Sequence, residues 1–275
     1  MGHLMESCSH ESFALTIAQP PNTRYPHSCM GPNNQTTFFG IPVAGLSAEE
    51  IVKCVESSTS RPFWIVTANP EILLCGKREP TYAETLKRAN LRMVDGVGLS
   101  IMARLRGVHL TRVTGVDLSE ALAQWAAQNH LSVALIGGER TDVAIRALHR
   151  LQAKIPGLRG IAESGGLITQ DGEGDTMNDD ARMRISLFDP GVIFVAFGHP
   201  KQERWIERYR HEFPNARVII GVGGTLDYWA GTAKRAPAWI RGIGMEWLYR
   251  LITEPKRWKR IWDAVVIFPL ISFIK

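Results

Sequence analysis

The sequence predicts an α/β fold: a Rossmann-like parallel sheet flanked by helices, followed by a helical, membrane-associating C-terminal appendage. Three observations carry that reading. Short apolar, β-branched runs without alternation (Phe63–Val66, Val133–Ile136, Ile193–Phe197, Val218–Val222) read as strands buried on both faces. Helical patterns separate the later runs, as in right-handed βαβ units. Each run also ends in polar or glycine chemistry: Thr67-Ala68-Asn69-Pro70, Gly137-Gly138-Glu139-Arg140, Gly198-His199-Pro200-Lys201-Gln202-Glu203 and Gly223-Gly224-Thr225-Leu226-Asp227. Ligands bind at the carboxyl ends of strands in such sheets, so four decorated ends predict one convergent site.

Residues 1–37 are polar and rich in Ser, Pro and Asn, and read as a disordered or variable extension without a signal-peptide pattern. The fold is expected to begin near Thr37 and its main domain to span 38–240. Ser47-Ala48-Glu49-Glu50 is a capping box that opens a helix. After the strand ending at Thr67, a helical stretch runs from Glu71 to Ala89 with Pro80 as a break point, and a short strand, Leu91–Val94, ends at Asp95-Gly96. Val97–Arg106 reads as a helix, and Asp117-Leu118-Ser119-Glu120 as a second capping box that opens a helix to Gln128. Strands at 132–136, 159–163, 192–197 and 217–222 then alternate with helices at 141–154, 181–188 and 201–211, and 171–180 reads as an acidic loop.

The last segment, 241–275, changes character. Met245–Ile252 reads as a helix, and Thr253 with Pro255 restarts one. Trp258, Ile261, Trp262, Val265 and Val266 fall on a helical stripe beside Lys256, Arg257, Lys259 and Arg260. The apolar end is too short for a bilayer crossing, which needs roughly 20 residues. A basic, aromatic, amphipathic helix of this kind is expected to lie in a membrane interface; the competing expectation is a helix docked on the core or on another subunit.

An apolar fraction of 45% with 21% charged residues is ordinary globular composition. The net charge of +5 is modest, but the basic residues concentrate between Lys234 and Lys275, which points to phosphate or an anionic membrane surface. Nucleic acid is disfavoured, because the cations flank an apolar stripe rather than exposed stacking aromatics. Cys8, Cys29, Cys54 and Cys75 form no CxxC pair, and the histidines form no HxH or HExxH spacing, so neither a metal site nor a bound cofactor is expected. The cysteine usage fits a reducing cytoplasm.

Gly137-Gly138 and Gly221-Val222-Gly223-Gly224 each follow a strand and suit close backbone approach to a diphosphate, yet neither completes GxGxxG, which weakens a dehydrogenase reading. Asp95 follows a buried strand, where it suits either a general base or a helix cap. Lys201, Gln202 and Glu203 open a helix whose dipole favours an anion. Arg250, Arg257 and Arg260 share a helical face and suit either a diphosphate clamp or lipid head groups.

Together these residues resemble the WecG/TagA/CpsF glycosyltransferase family. The resemblance runs from about Phe38 to Arg260 through Thr67-Ala68-Asn69-Pro70-Glu71, Val94-Asp95-Gly96-Val97-Gly98, Arg112-Val113-Thr114-Gly115, Gly198–Trp205, Gly221–Asp227, Arg235-Ala236-Pro237, Glu246–Leu251 and Glu254–Arg257. It implies inverting, metal-independent transfer of a hexose-type sugar from a UDP-sugar donor to a polyprenyl-diphosphate-linked sugar acceptor in cell-surface polysaccharide synthesis. The protein would work in the cytoplasm, peripherally on the inner face of the membrane. By position, Asp95 would be the base, and Thr67, Asn69, Arg112 and Gln202 would line the sugars. Asp227 with Gly223 and Gly224 would hold the nucleotide, and Arg250, Arg257 and Arg260 would offset the charge of the leaving UDP. Gly137, Gly138, Lys201 and Glu203 complete the expected substrate-binding set. A homo-oligomer is left open. The competing function is a non-catalytic module that binds a nucleotide-sugar or polyprenyl phosphate and has no need of Asp95.

Overall fold

The computed structural model describes residues 34–138, 140, 142–242, 244–253, 255 and 258–273. The described residues open on a hairpin, β1 (Gln35–Phe38) and β2 (Ile41–Ala44), turned at Phe39 and Gly40, both at positive φ. Then come α1 (Ala48–Ser57), β3 (Phe63–Ala68), α2 (Pro70–Arg78), α3 (Pro80–Lys87), β4 (Leu91–Val94), α4 (Val97–Leu105) and α5 (Gly115–Gln128). The second half runs β5 (Ser132–Gly137), α6 (Val143–Lys154), β6 (Arg159–Glu163), α7 (Thr176–Phe188), β7 (Val192–Ala196), α8 (Lys201–Tyr209), β8 (Val218–Gly221) and α9 (Thr225–Ala230). The C-terminal segment holds α10 (Ala238–Gly242), α11 (Glu246–Thr253), α12 (Trp258–Trp262), a π-helical stretch (Asp263–Ile267) and α13 (Phe268–Phe273).

The strands form one sheet in the order β1-β2-β4-β3-β8-β7-β5-β6. Among the described strands of this sheet, the β1–β2 pair is antiparallel and the other pairings are parallel. Side chains alternate across the strands and so feed two cores. Phe63, Ile65, Met93, Leu135, Phe194 and Ile220 pack under α1, α5, α6 and α9. Trp64, Val66, Val94, Ile136, Val195 and Ile219 pack under α2, α3, α4, α7 and α8. Helices on both faces explain why these strands read as continuous apolar runs. The chain leaves β3 toward β4 on one side, while β5 to β8 fill the other. The strand order therefore reverses beside β3 and β8, and an open crevice forms at that point.

Several local expectations hold, and others change. Ser47 caps α1, its hydroxyl accepting from the Glu50 amide while the Glu50 carboxylate accepts from the Ser47 amide. The helical stretch predicted over 71–89 breaks at Glu79 into α2 and α3, as proline at the start of α3 requires. The expected capping box at Asp117 is displaced. Thr114 caps α5 by accepting from the Asp117 amide at 3.1 Å, so Asp117 lies in the first turn and Glu120 pairs with Lys154 instead. Asp175 caps α7, so the expected acidic loop is already helical from Thr176. Among the described residues the sheet already includes Gln35–Thr37, inside the segment expected to precede the fold. Cys54 is buried in the core and Cys75 is half-buried.

The apolar stripe at the C-terminus does not form one face. Ile261 and Phe268 are buried, Phe268 against Phe38 and Phe39, whereas Trp258 and Trp262 remain more than half exposed. Within α12 only Ile261 turns inward, and the π-helical stretch after Trp262 then changes the angular step per residue for Val265 and Val266. Arg78 pairs with Asp263 at 2.7 Å and fastens this segment to α2. The docked-helix expectation thus describes the inner side, and the exposed tryptophans form the outer one. Among the described residues no helix is long and apolar enough to cross a membrane.

Candidate active site

A cleft of about 470 Å³ opens at the carboxyl ends of the strands. Parallel pairing sets its geometry. Val66 pairs with Gly221, Ala68 with Val94, Gly137 with Ala196 and Val195 with Gly221, so five strand ends finish at one level. The ladder continues into the loops: the Asp95 amide donates to the Ala68 carbonyl at 2.8 Å, Val222 to Val195 at 2.8 Å, and Gly138 to Ala196 at 3.0 Å. Thr67, Asn69, Asp95, Gly138, Lys201, Gln202, Gly223, Gly224, Asp227 and Arg260 all line the cleft.

Thr67 is buried, and its hydroxyl donates to the Gly221 carbonyl at 3.0 Å, joining β3 to β8 beneath the cleft. The Asn69 side-chain carbonyl accepts from the Ile72 amide at 2.9 Å and so caps α2 at the cleft wall. After Asp95 the chain turns into α4 through Gly96 at φ +93°, a conformation that glycine adopts without strain. The N-terminus of α5 abuts that carboxylate: a Cβ added at Gly115 would sit 3.4 Å from Asp95 Oδ2 and 3.3 Å from Thr67 Cγ2.

Gln202 forms part of the floor and is almost fully buried. Its Oε1 accepts from the Gly223 amide at 3.0 Å, and its Nε2 donates to Glu203 Oε1 at 2.7 Å. Glu203, expected to touch a ligand, is instead fully buried behind Gln202, with the Tyr82 hydroxyl donating to its Oε2 at 2.9 Å. Burial raises the Glu203 carboxyl above its ordinary range, while the hydrogen bonds from Gln202 and Tyr82 work against the shift. Burial, and then the neighbouring Glu203 charge, push the Tyr82 hydroxyl well above its usual value.

Arg260 reaches the cleft rim from α12. Its Nε donates to Glu71 Oε2 at 2.7 Å, and its Nη2 lies 3.1 Å from His199 Nδ1. Glu71, His199 and Arg260 therefore bring α2, the loop after β7 and the C-terminal segment together at one edge. A second tie lies at the root of that segment. Arg235 donates to Thr114 Oγ1 at 2.9 Å and pairs with Asp117 at 2.8 Å. Desolvation opposes ionisation of Asp117, but hydrogen bonds from Thr114 and Arg235 and the charges of Arg235 and Arg241 hold its carboxyl below the ordinary range.

The sequence matches the glycosyl transferase WecG/TagA/CpsF family over residues 36–274. The chain belongs to that family. Relatives include an N-acetylglucosaminyldiphosphoundecaprenol N-acetyl-beta-D-mannosaminyltransferase of Bacillus spizizenii, 35% identical over 199 residues, or 72% of this chain and 74% of the relative. The protein of the same name from Bacillus subtilis strain 168 is 35% identical over 198 residues, with the same shares covered. That of Staphylococcus aureus strain MRSA252 is 34% identical over 214 residues, 78% of this chain and 80% of the relative.

Not every residue expected at the site of this WecG/TagA/CpsF member lines the cleft. Arg112 lies beside it, its guanidinium donating to the Arg241 carbonyl at 3.3 Å, where it supports the root of the C-terminal segment. Gly137 serves packing: at φ +104°, a Cβ there would lie 2.7 Å from the Ala196 carbonyl oxygen. Arg250 lies on α11 with its side chain outside the described residues, and Arg257 lies outside them altogether. Sequence reasoning missed the cleft residues Glu71, Thr114, His199 and Glu246 as candidates. Each sits in a motif of the family resemblance, but an acid on a first helical turn or a threonine before a glycine reads as an ordinary cap.

Proposed function

We propose that this glycosyltransferase moves a hexose-type sugar from a UDP-sugar to a polyprenyl-diphosphate-linked sugar, with inversion. In this reading the Asp95 carboxylate takes the proton of the acceptor hydroxyl while that oxygen attacks the anomeric carbon. The bond from the anomeric carbon to the UDP oxygen breaks, and UDP leaves with the electron pair. Asp227 and the Gly223-Gly224 backbone hold the nucleotide, Thr67, Asn69 and Gln202 shape the sugar sites, and Lys201 with Arg260 offsets the charge developing on UDP. Arg250 and Arg257 join Arg260 in that role, while Arg112 acts from beside the cleft.

One observation carries the reading: a carboxylate, a glycine loop and an arginine from the C-terminal segment line the same cleft. The relatives' name points to the first substrates to test, UDP-N-acetylmannosamine and a polyprenyl-diphosphate-linked N-acetylglucosamine. A single displacement on an α-linked donor gives the β linkage that the name contains. We place the enzyme peripherally on the inner face of the cytoplasmic membrane, because such an acceptor stays in the bilayer, Trp258, Trp262 and Leu270 are exposed, and the Lys259 ammonium lies over the Trp258 ring. The domain reading goes with it, its first boundary moved so that β1 stays with the sheet: an N-terminal extension up to residue 34, a catalytic domain over 35–240 and an appendage over 241–275.

The test is UDP release from a panel of UDP-sugars, without added metal, in the presence and absence of the lipid-linked acceptor. Acceptor-dependent release from one donor establishes the transferase and its sugar together. Tight UDP binding without release from any donor favours the binding-module reading.

A further inference from the structure

The geometry of a cleft floor can be set from below, and here a buried carboxylate lies under the cleft without reaching it. We propose that Glu203 is a positioning residue: its carboxylate fixes the Gln202 carboxamide in the orientation that holds the Gly223 amide, and with it the glycine loop after β8, in place for the donor diphosphate. The last clause rests on the donor reading above; the rest stands on the geometry of this chain alone.

The relay has a definite direction. A backbone N–H only donates, so the Gly223 amide at 3.0 Å requires the oxygen of Gln202 on its side. The Gln202 nitrogen then faces inward, where a buried NH2 without an acceptor is costly. Glu203 Oε1 is that acceptor at 2.7 Å, and Tyr82 on α3 holds the other carboxylate oxygen at 2.9 Å. A flip of the Gln202 amide would set donor against donor at Gly223 and acceptor against acceptor at Glu203. Gly221 completes the arrangement: a Cβ there would lie 2.8 Å from Gln202 Nε2, so the absent side chain leaves room for the carboxamide. The loop that the relay holds, Val222–Gly224, lines the cleft, whereas Glu203 does not.

The readouts are hydrogen exchange of the Gly223 amide in the ligand-free protein and the dissociation constant for UDP. Glu203→Leu is expected to speed exchange at Gly223 at least ten-fold, and Glu203→Gln to restore most of the protection, because a carboxamide can still accept from Gln202 and donate to the Tyr82 oxygen. In the Gln202→Ala background, Glu203→Leu is expected to add nothing further to either readout, since it acts only through Gln202. Unchanged Gly223 exchange in a folded Glu203→Leu variant, or fully additive effects in the double variant, overturns the proposal. Should Glu203→Leu fail to fold, Gly221→Ala probes the same relay from the other end: crowding Gln202 while leaving Glu203 in place should expose the Gly223 amide, and retained protection overturns the proposal. If the exchange pattern follows the relay but UDP binds neither the wild type nor any variant, the relay stands and the donor reading falls.

Discussion

Glu71 and Arg260 lie 189 positions apart and meet at 2.7 Å on the rim of the cleft. One belongs to the first turn of α2, the other to α12 in the C-terminal segment, and both line the site. The pair is partly exposed, so its worth to stability is small; in the proposed mechanism it holds the Arg260 guanidinium at the leaving UDP.

Arg260→Ala should therefore lower kcat/KM for sugar transfer by at least ten-fold while changing unfolding free energy by less than about 1 kcal/mol. Steady-state kinetics and urea denaturation on the same sample check this. A large stability loss with unchanged kinetics would make Arg260 a fastening residue only.

Asp95→Asn keeps the shape and removes the carboxylate proposed as the base. Turnover should fall by about 10² to 10⁴, the usual contribution of general base catalysis, while UDP affinity stays within a few-fold of the wild type. Calorimetric UDP binding beside a transfer assay tests it; normal turnover would assign Asp95 to structure.

Glu203→Gln should alter the pH dependence of stability. The folded-state pKa of Glu203 is raised by burial, so its contribution favours folding fully below the ordinary Glu value of about 4.3 and is lost as pH rises through the folded value. Glutamine carries no such charge. The variant should gain stability relative to the wild type as pH rises, and urea midpoints that stay parallel from pH 4 to pH 8 would contradict this.

Arg92 is buried on β4, and its guanidinium donates to the carbonyls of Pro42, Leu86, Lys87 and Ala89. Burial lowers its pKa to about 10, still well above neutral pH. Arg92→Met should cost about 3 kcal/mol by leaving these acceptors unpaired. A loss under about 1 kcal/mol in urea would mean that water reaches them.

Membrane binding is best probed without touching the docked side. Phe268 is a core residue, so truncating the C-terminus would confound docking with folding. Trp258→Ser with Trp262→Ser removes only exposed aromatics, and should weaken sedimentation with anionic liposomes while the melting temperature holds. Unchanged sedimentation would remove these tryptophans from the interface.

Local chemistry made part of this molecule readable. The runs ending at Thr67, Gly137, Phe197 and Val222 are buried on both faces, and that burial leaves a mark in composition wherever helices cover a sheet. The Ser47 cap was legible because both partners lie within four residues. The displaced cap of α5 was not: Asp117-Leu118-Ser119-Glu120 fits the same pattern, and the choice of Thr114 depends on Arg235, more than a hundred positions away, meeting both Thr114 and Asp117. The β1–β2 hairpin escaped notice because β1 is mostly polar and β2 carries Pro42, so neither reads as a β-branched apolar run.

The sequence by itself determined the α/β class, the strand ends that bear the chemistry and the family, because each is written in contiguous residues whose spacing reflects one element. Only the tertiary structure decided which of those residues meet. It set Glu203 behind Gln202 and Arg112 beside the cleft, brought Arg260 to Glu71, and turned Phe268 inward while Trp262 stayed out. Such choices depend on how distant elements pack, through burial and hydrogen-bond satisfaction summed over the whole fold, and no local pattern encodes them.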